Sequence, residues 1–402
     1  MMSLWRRNLY ITTAIQVLSA VTFNIVTPFL PFFIGELGIT DRRELAMWAG
    51  ILPGINALFG GIMSPVWGNL ADRFGAKPMI IRCTACIAIV NILTSFVTNI
   101  YSLLALRILL GIFGGFSVAA LSLVTKQTPE HRLGFALGWL QTGMVLGVVI
   151  GPIIGGFLAD LLPYRKVFLT AGLIAIISVV LGIGFVHEDF HPAPRQAKEK
   201  RGLFHIFSWP LIIWVMFTVI FLSQFAVRGI EPLMPLYIKQ LEGNAPALNT
   251  LTGTVVAVIG VAQVITVTVL GRYANTWGYK RSLLICLAGA AVFALPQAFA
   301  TQAWQLIILR FCQGLFIGGM IPMANSLIAL FTPPEKRGSV YGLTSSAFFF
   351  GNFLGPLIGG FQAALLGIRS IFYLATGLLM LNFLWVLKEV REPARAGGTR
   401  AR

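Results

Sequence analysis

The sequence predicts an all-α membrane protein with twelve transmembrane helices in two pseudo-symmetric six-helix bundles. Three observations predict it. The 402 residues are 57% hydrophobic and 11% charged, with a mean hydropathy of +0.83, whereas a soluble domain carries about 25% charge. Twelve apolar segments fill the chain, each near the roughly 20 residues a spanning helix needs. A long signature also recurs: RILLGIFGGF…TPEHRLGFALG…GVVIGPIIGGF…YRKVF over 107–168 returns as RFCQGLFIGG…TPPEKRGSVYG…GNFLGPLIGGF…IRSIF over 310–372. Arg107 aligns with Arg310, Gly111 with Gly314, Arg132 with Arg337, and Gly151-Pro152 with Gly355-Pro356. Duplicated halves in a membrane chain are the pattern of a transporter built round a central pathway.

The spans fall near residues 8–34, 45–69, 79–98, 101–125, 133–160, 167–187, 208–238, 250–273, 281–300, 304–331, 338–364 and 370–388. The first stays in place as an anchor. Its apolar run, behind Trp5-Arg6-Arg7, is too long for a signal peptide, and no small-residue cleavage site follows. It holds Pro28 and Pro31, and the seventh holds Pro232 and Pro235 at the same offset. Proline frees carbonyls and bends a helix, which membranes tolerate where protein or a wet cavity satisfies the backbone. A packing kink and a bent cavity-lining helix both fit one such site; recurrence in both halves favours the second. Bundles 1–187 and 208–390 are joined by the polar stretch 188–207, read as a cytoplasmic linker, and the basic tail 391–402 is expected to be disordered.

The net charge of +16 is a topology signal. With the N-terminus inside, 21 Lys and Arg fall in inner segments, 6 in outer ones and 3 within spans. This bias places both termini in the cytoplasm and argues against nucleic acid as a partner. Cys83, Cys86, Cys286 and Cys312 lie in or beside spans and read as small packing residues rather than metal ligands or a redox pair. The four histidines lack metal-ligand spacing, and no phosphate-binding GxxxxGK[ST] run occurs. No metal, cofactor or enzymatic chemistry is expected.

Between the second and third spans stands Gly68-Asn-Leu-Ala-Asp72-Arg73-Phe-Gly75-Ala-Lys77, repeated weakly from Gly271 with Asn275 in the acidic position. This run resembles the loop signature of the major facilitator superfamily. Arg107-Ile-Leu-Leu-Gly111 resembles that family's fourth-helix motif. Gly143, Gly147, Gly151-Pro152, Gly155 and Gly156 resemble the fifth-helix motif of its drug:proton antiporters, and PFLPFF and SPVWGNLADR look like a bacterial multidrug exporter. The resemblance implies alternating access and exchange of an amphiphilic substrate for protons; short termini and compact loops point to a bacterial inner membrane, and a monomer is expected. Gly68, Asp72, Arg73, Gly75 and Lys77 are expected to act in the conformational change, and the position of Asp72 and Arg73 at a cytoplasmic turn with a degenerate copy in the other half suggests a one-sided latch.

Glycines at four-residue spacing make a flat strip against which another backbone packs closely. Gly147, Gly151 and Pro152, with Gly355 and Pro356 in the other half, are expected to form strips that meet across the interface as hinge or seal. Generic tight packing is the alternative. Charges inside a bilayer are expensive and mark candidate functional positions. Glu231, with Arg228 three residues before it and Arg107 in the fourth span, forms the candidate proton-coupling group. Either Glu231 carries the proton or it permanently neutralises Arg228; Asp160 and Glu36 are weaker alternatives. The candidate substrate cavity gathers Gln16, Phe23, Asn24, Asn56, Gln141, Gln224, Phe225, Gln263, Asn325, Phe348 and Asn352. An apolar cavity with scattered neutral polar groups suits amphiphiles. A dedicated metabolite carrier and a non-transporting receptor are the competing readings.

Overall fold

A computed structural model describes residues 3–188, 190, 211–332 and 337–390. Most of the linker and the whole tail lie outside the described residues, as do the side chains of Arg337 and Asn275. The N-terminal bundle comprises α1 (Leu4–Asn24) and α2 (Leu30–Glu36), which share the first span, then α3 (Arg42–Phe74) and α4 (Ala76–Thr94). Next come α5 (Ile100–Phe113) and α6 (Phe116–Gln127), which share the fourth, followed by α7 (Leu133–Leu161) and α8 (Tyr164–Phe185). The C-terminal bundle opens with α9 (Leu211–Ile230) and α10 (Met234–Glu242), which share the seventh span. It continues with α11 (Leu248–Trp277), α12 (Tyr279–Ala294), α13 (Ala303–Phe331), α14 (Arg337–Leu366) and α15 (Ser370–Glu389). Among the described residues, eleven spans are helices long and apolar enough to cross a membrane. The twelfth is the split α1–α2 pair, which packs against α7 and α8 of its own bundle.

Both proline sites interrupt their helices as predicted. A ring in place of the N–H removes a helical bond and clashes with the preceding turn. The first span therefore passes through turns over residues 25–29, and the seventh through a 3-10 turn at Glu231–Leu233.

A third interruption was not predicted. The fourth span breaks at Gly114, which is extended, and Gly115, whose φ of +99° favours glycine. Three side chains cover the carbonyls this exposes. Trp67 Nε1 donates to Ile112 O at 2.6 Å, Cys83 Sγ to Phe113 O at 3.2 Å and Arg82 Nη2 to Gly114 O at 3.0 Å. Arg82 also lies over the Trp67 ring, 3.2 Å from its centroid. The pseudo-equivalent Ile317 and Gly318 remain helical in α13. There the positions of Trp67 and Arg82 are Leu270 and Ile285, which have no donor for a freed carbonyl.

The bundles meet mainly through α3 against α14 and α7 against α11. Let the terminal face be the one where α1 begins and α15 ends, and the far face its opposite. Toward the far face the approach is backbone on backbone, twice over. A Cβ on Gly50 would stand 2.2 Å from Pro356 O, and one on Gly253 2.1 Å from Pro152 O. Gly360 meets Ala46 O at 2.7 Å by the same measure, and Gly156 meets Asn249 O at 2.2 Å. Toward the terminal face, Gly68, Gly134, Gly138 and Gly342 meet nothing within 4 Å. The halves are sealed on the far face and part toward the terminal face.

The glycine strips divide this work differently from expectation. Gly147 and Gly151 pack on α1 of their own bundle, against Ala20 and Asn24, and Gly355 packs on α9 against Phe225. A strip of period four covers one helix face, and that face is turned inward to the first or seventh span. The prolines and the adjacent Gly156 and Gly360 lie round the helix, and these reach the other half. The two faces are separable by substitution. Gly147→Leu should destabilise the N-terminal bundle by about 1–3 kcal/mol, the range for overpacking, seen as a lower melting temperature. Gly50→Leu should leave melting nearly unchanged while raising thiol labelling of an Ala46→Cys reporter on the far face several-fold. Equal melting loss in both variants would contradict the assignment.

Candidate functional site

A cavity of about 190 Å³ lies in the N-terminal bundle near mid-span, between α1, α4, α7 and the break in the fourth span. Of the predicted cavity residues, Gln16, Phe23 and Asn24 line it. Gln141 is exposed one turn from the lining residue Met144, toward the terminal face. Others have different employment. Gln224 and Phe225 are buried against Gly351 and Gly355 as packing surface. The Gln263 backbone supports Gly318, and Asn325 O accepts from Tyr341. Asn56 presents its carbonyl to Gly111, and Asn352 turns its amide back to Phe348 O at 2.7 Å. A lone amide inside a span satisfies itself on the nearest free carbonyl, so polarity alone overcounts cavity positions. Ser19, Ser117 and the Gly114–Gly115 wall were missed; the double glycine beside a covering Trp–Arg pair was their signal.

The proton-coupling candidates do not form one group. Arg228 Nη1 donates to Glu231 Oε2 at 2.5 Å, with the Glu231 side chain 21% exposed. Glu231 also acts electrostatically on Arg310, the buried arginine of the tenth span. Arg107 belongs to the other bundle, where its guanidinium lies 5.9 Å from the Phe168 ring centroid. It therefore drops out of the Glu231 group, and Arg310 takes its place.

Asp160, ranked below Glu231 from sequence, fastens the halves together. This carboxylate at the end of α7 accepts from Asn249 N at 3.1 Å, Asn249 Nδ2 at 2.9 Å, Thr250 N at 2.8 Å and Thr250 Oγ1 at 2.6 Å. It thereby caps the start of α11 across the far-face seal, where an acid complements the helix dipole.

On the terminal face, Asp72 pairs with Lys126 at 3.2 Å, inside its own half. Arg73 stands over the Phe74 ring, 5.1 Å from its centroid. Gly75 takes a φ of +93° at the tight turn, and Lys77 Nζ donates to Ile183 O at 3.1 Å. Lys280 repeats this on Leu387 O at 3.1 Å. Gly68 is open on this side. Glu188, expected to open a free linker, instead caps α4: its oxygens accept from Ala76 N at 2.9 Å and Lys77 N at 2.6 Å.

Two pseudo-symmetric six-helix bundles, sealed together on the far face, with a mid-span cavity in the first, define a membrane transporter. The sequence matches the Major Facilitator Superfamily over residues 12–262 and 245–402, and the chain belongs to that family. It is 33% identical over 389 residues to the multidrug resistance protein MdtG of Salmonella dublin, covering 96% of each chain. With MdtG of Klebsiella pneumoniae strain 342 it shares 33% identity over 391 residues, 97% of this chain and 95% of that one. Among solved structures, a bacterial homologue of the human lysosomal transporter Spinster, inward-facing and occupied, superposes with a TM-score of 0.79. It is 15% identical and covers 96% of this chain and 97% of that one. The human organic anion transporter MFSD10 superposes with a TM-score of 0.68 at 18% identity, covering 96% and 100%.

Two outcomes follow from the charge contacts. Asp160→Asn replaces an acceptor-only group with an amide that cannot accept all four bonds, so spin labels across the far face should show a larger separated population. An unchanged distance distribution would remove Asp160 from the seal. Asp72→Asn should lower transport at matched expression by about tenfold while leaving substrate affinity within about twofold, as measured by efflux and equilibrium binding.

Proposed function

We propose that this chain exports amphiphilic toxic compounds from the bacterial cytoplasm in exchange for protons, as a monomer in the inner membrane with both termini cytoplasmic. The carrying observation is a partly apolar mid-span cavity in the N-terminal bundle, in a chain one-third identical to MdtG along nearly its whole length. In this reading the terminal face is the cytoplasmic one, in line with its excess of Lys and Arg. The halves rock about the cavity, and the far-face seal opens when the terminal face closes.

Proton entry supplies the energy. One charge moving through 100 mV releases about 2.3 kcal/mol, enough for a substrate gradient of roughly 50-fold. Glu231 is the proposed carrier: it sits at the proline break of the seventh span, partly exposed and held by Arg228. Protonation would release Arg228 and the nearby Arg310, and so couple charge to the bend.

The test is efflux of a cationic dye from a hypersensitive bacterial host, with and without an uncoupler. Uncoupler-insensitive export would overturn proton coupling. Glu231→Gln should abolish uphill efflux while retaining dye binding and downhill exchange. If Glu231 only neutralises Arg228, the single variant would lose expression, and Arg228→Gln with Glu231→Gln would restore both stability and uphill pumping. Uphill pumping at the wild-type rate by that double variant would exclude Glu231 and direct attention to Asp160.

A further inference from the structure

The break in the fourth span is asymmetric. The carbonyls freed at the end of α5 have donors in Trp67, Cys83 and Arg82. The amides freed at the start of α6 have no counterpart: no side chain caps this helix. The first N–H groups of any helix lack intrahelical partners, and together they carry about half a positive charge. Here they belong to Phe116 and Ser117, which form part of the cavity wall with Gly114 and Gly115.

Two buried side chains face the same wall. Gln16 is 4% exposed and Ser19 5% exposed, and both line the cavity. The Gln16 amide reaches the first turn of α6, with Nε2 3.4 Å from Ser117 Oγ, while its Oε1 has no partner. Ser19 Oγ also has none, although a buried hydroxyl ordinarily bonds to the carbonyl one turn back, as Thr13 and Thr22 do in the same helix. A half-turn of the Gln16 amide exchanges its ends, so it serves a donor or an acceptor equally. The fixed groups decide the preference, and these are the α6 amides, which only donate; the Ser19 hydroxyl can turn to donate beside them. Arg82 adds a cation at the break, and among the described residues no carboxylate pairs with it. Phe23, Ile87, Leu110, Met144 and Val148 supply an apolar wall, and the Asn24 amide in it is turned back to Ala20 O at 2.8 Å.

We infer that the break, with Gln16 and Ser19, is a head-group subsite for an acidic amphiphile, an organic carboxylate whose tail lies along the apolar wall. This deepens the export reading, on which it rests for the word substrate; the binding it describes is measurable without transport. Such a site gives the two halves different tasks. The N-terminal half recognises the acidic head, while the charged groups of the seventh and tenth spans in the C-terminal half remain available for the proton.

The experiment is equilibrium binding to the purified full chain in neutral detergent. The probe is 11-(dansylamino)undecanoic acid, and its carboxamide is the uncharged control. The wild type should bind the acid about tenfold tighter than the amide, the scale expected for charge-assisted bonds to a helix start. Gln16→Glu places a carboxylate beside the α6 amides. It should abolish or reverse the preference, keep amide affinity within about twofold, and hold or raise the melting temperature. Ser117→Asp, on the exposed first turn of α6, should do the same and serves as a second variant if the first fails to fold.

Equal wild-type affinity for acid and amide would overturn the subsite, as would an undiminished preference in a folded Gln16→Glu protein. Phosphatidylglycerol competing as well as the acid itself would overturn the assignment to substrate and give the site to a lipid head group. Equal wild-type affinity for acid and amide would leave the export reading standing, and uncoupler-insensitive efflux would leave the binding preference standing, so the two readings fail separately.

Discussion

The joining of the two halves depends on two backbone contacts that only glycine permits. Pro356 O presses on Gly50 and Pro152 O on Gly253, each too close for a Cβ. Small residues let helices approach where lipid gives no hydrophobic drive to associate, and carbonyls then meet Cα–H groups directly. Because one contact is the pseudo-symmetric image of the other, the seal carries the symmetry of the duplication. It also lies off-centre, toward the far face. Bundles joined that way can part only toward the terminal face, and the direction of the opening follows from where four glycines sit.

The duplication is most informative where it fails. Gly114–Gly115 breaks its helix while its counterpart Ile317–Gly318 does not. Asp160 caps a helix of the other half, while its counterpart is Ala364. Glu231 faces Arg228 where the first half has Thr27 and Asn24. Packing glycines, bending prolines and the lysines that cap the sixth and twelfth spans are retained in both copies. Scaffold is held in duplicate and chemistry in single copy, as expected when two halves must move alike and bind differently.

Much of this was legible from residues alone. Hydropathy located the spans, because a bilayer demands about 20 apolar residues whatever else a helix does. The proline pairs announced the bends in the first and seventh spans. The glycine period announced close packing, but a period names a helix face without naming what covers it, so the strips were assigned to the wrong neighbour. Amides such as Asn352 misled because a polar side chain satisfied by its own helix looks the same in sequence as one aimed at a ligand. The Asp160 cap was illegible as a cap because its partners lie 89 and 90 positions away on the other half.

A seal that opens in every cycle must be fastened weakly enough for one transport event to undo. The glycine contacts are weak individually, near 0.5–1 kcal/mol for a Cα–H···O contact. Asp160 is the one carboxylate among the described residues seen to bridge the halves by hydrogen bonds. Hydrogen bonds to a charged group contribute about 1.5–3 kcal/mol each, and the four share one carboxylate and are not additive. The latch is therefore of the same order as the 2.3 kcal/mol that one charge gains across about 100 mV. On the proposed proton coupling, a second such cap between the halves would about double the fastening and exceed what one proton releases, which gives a physical reason for Asp160 to have Ala364 as its counterpart.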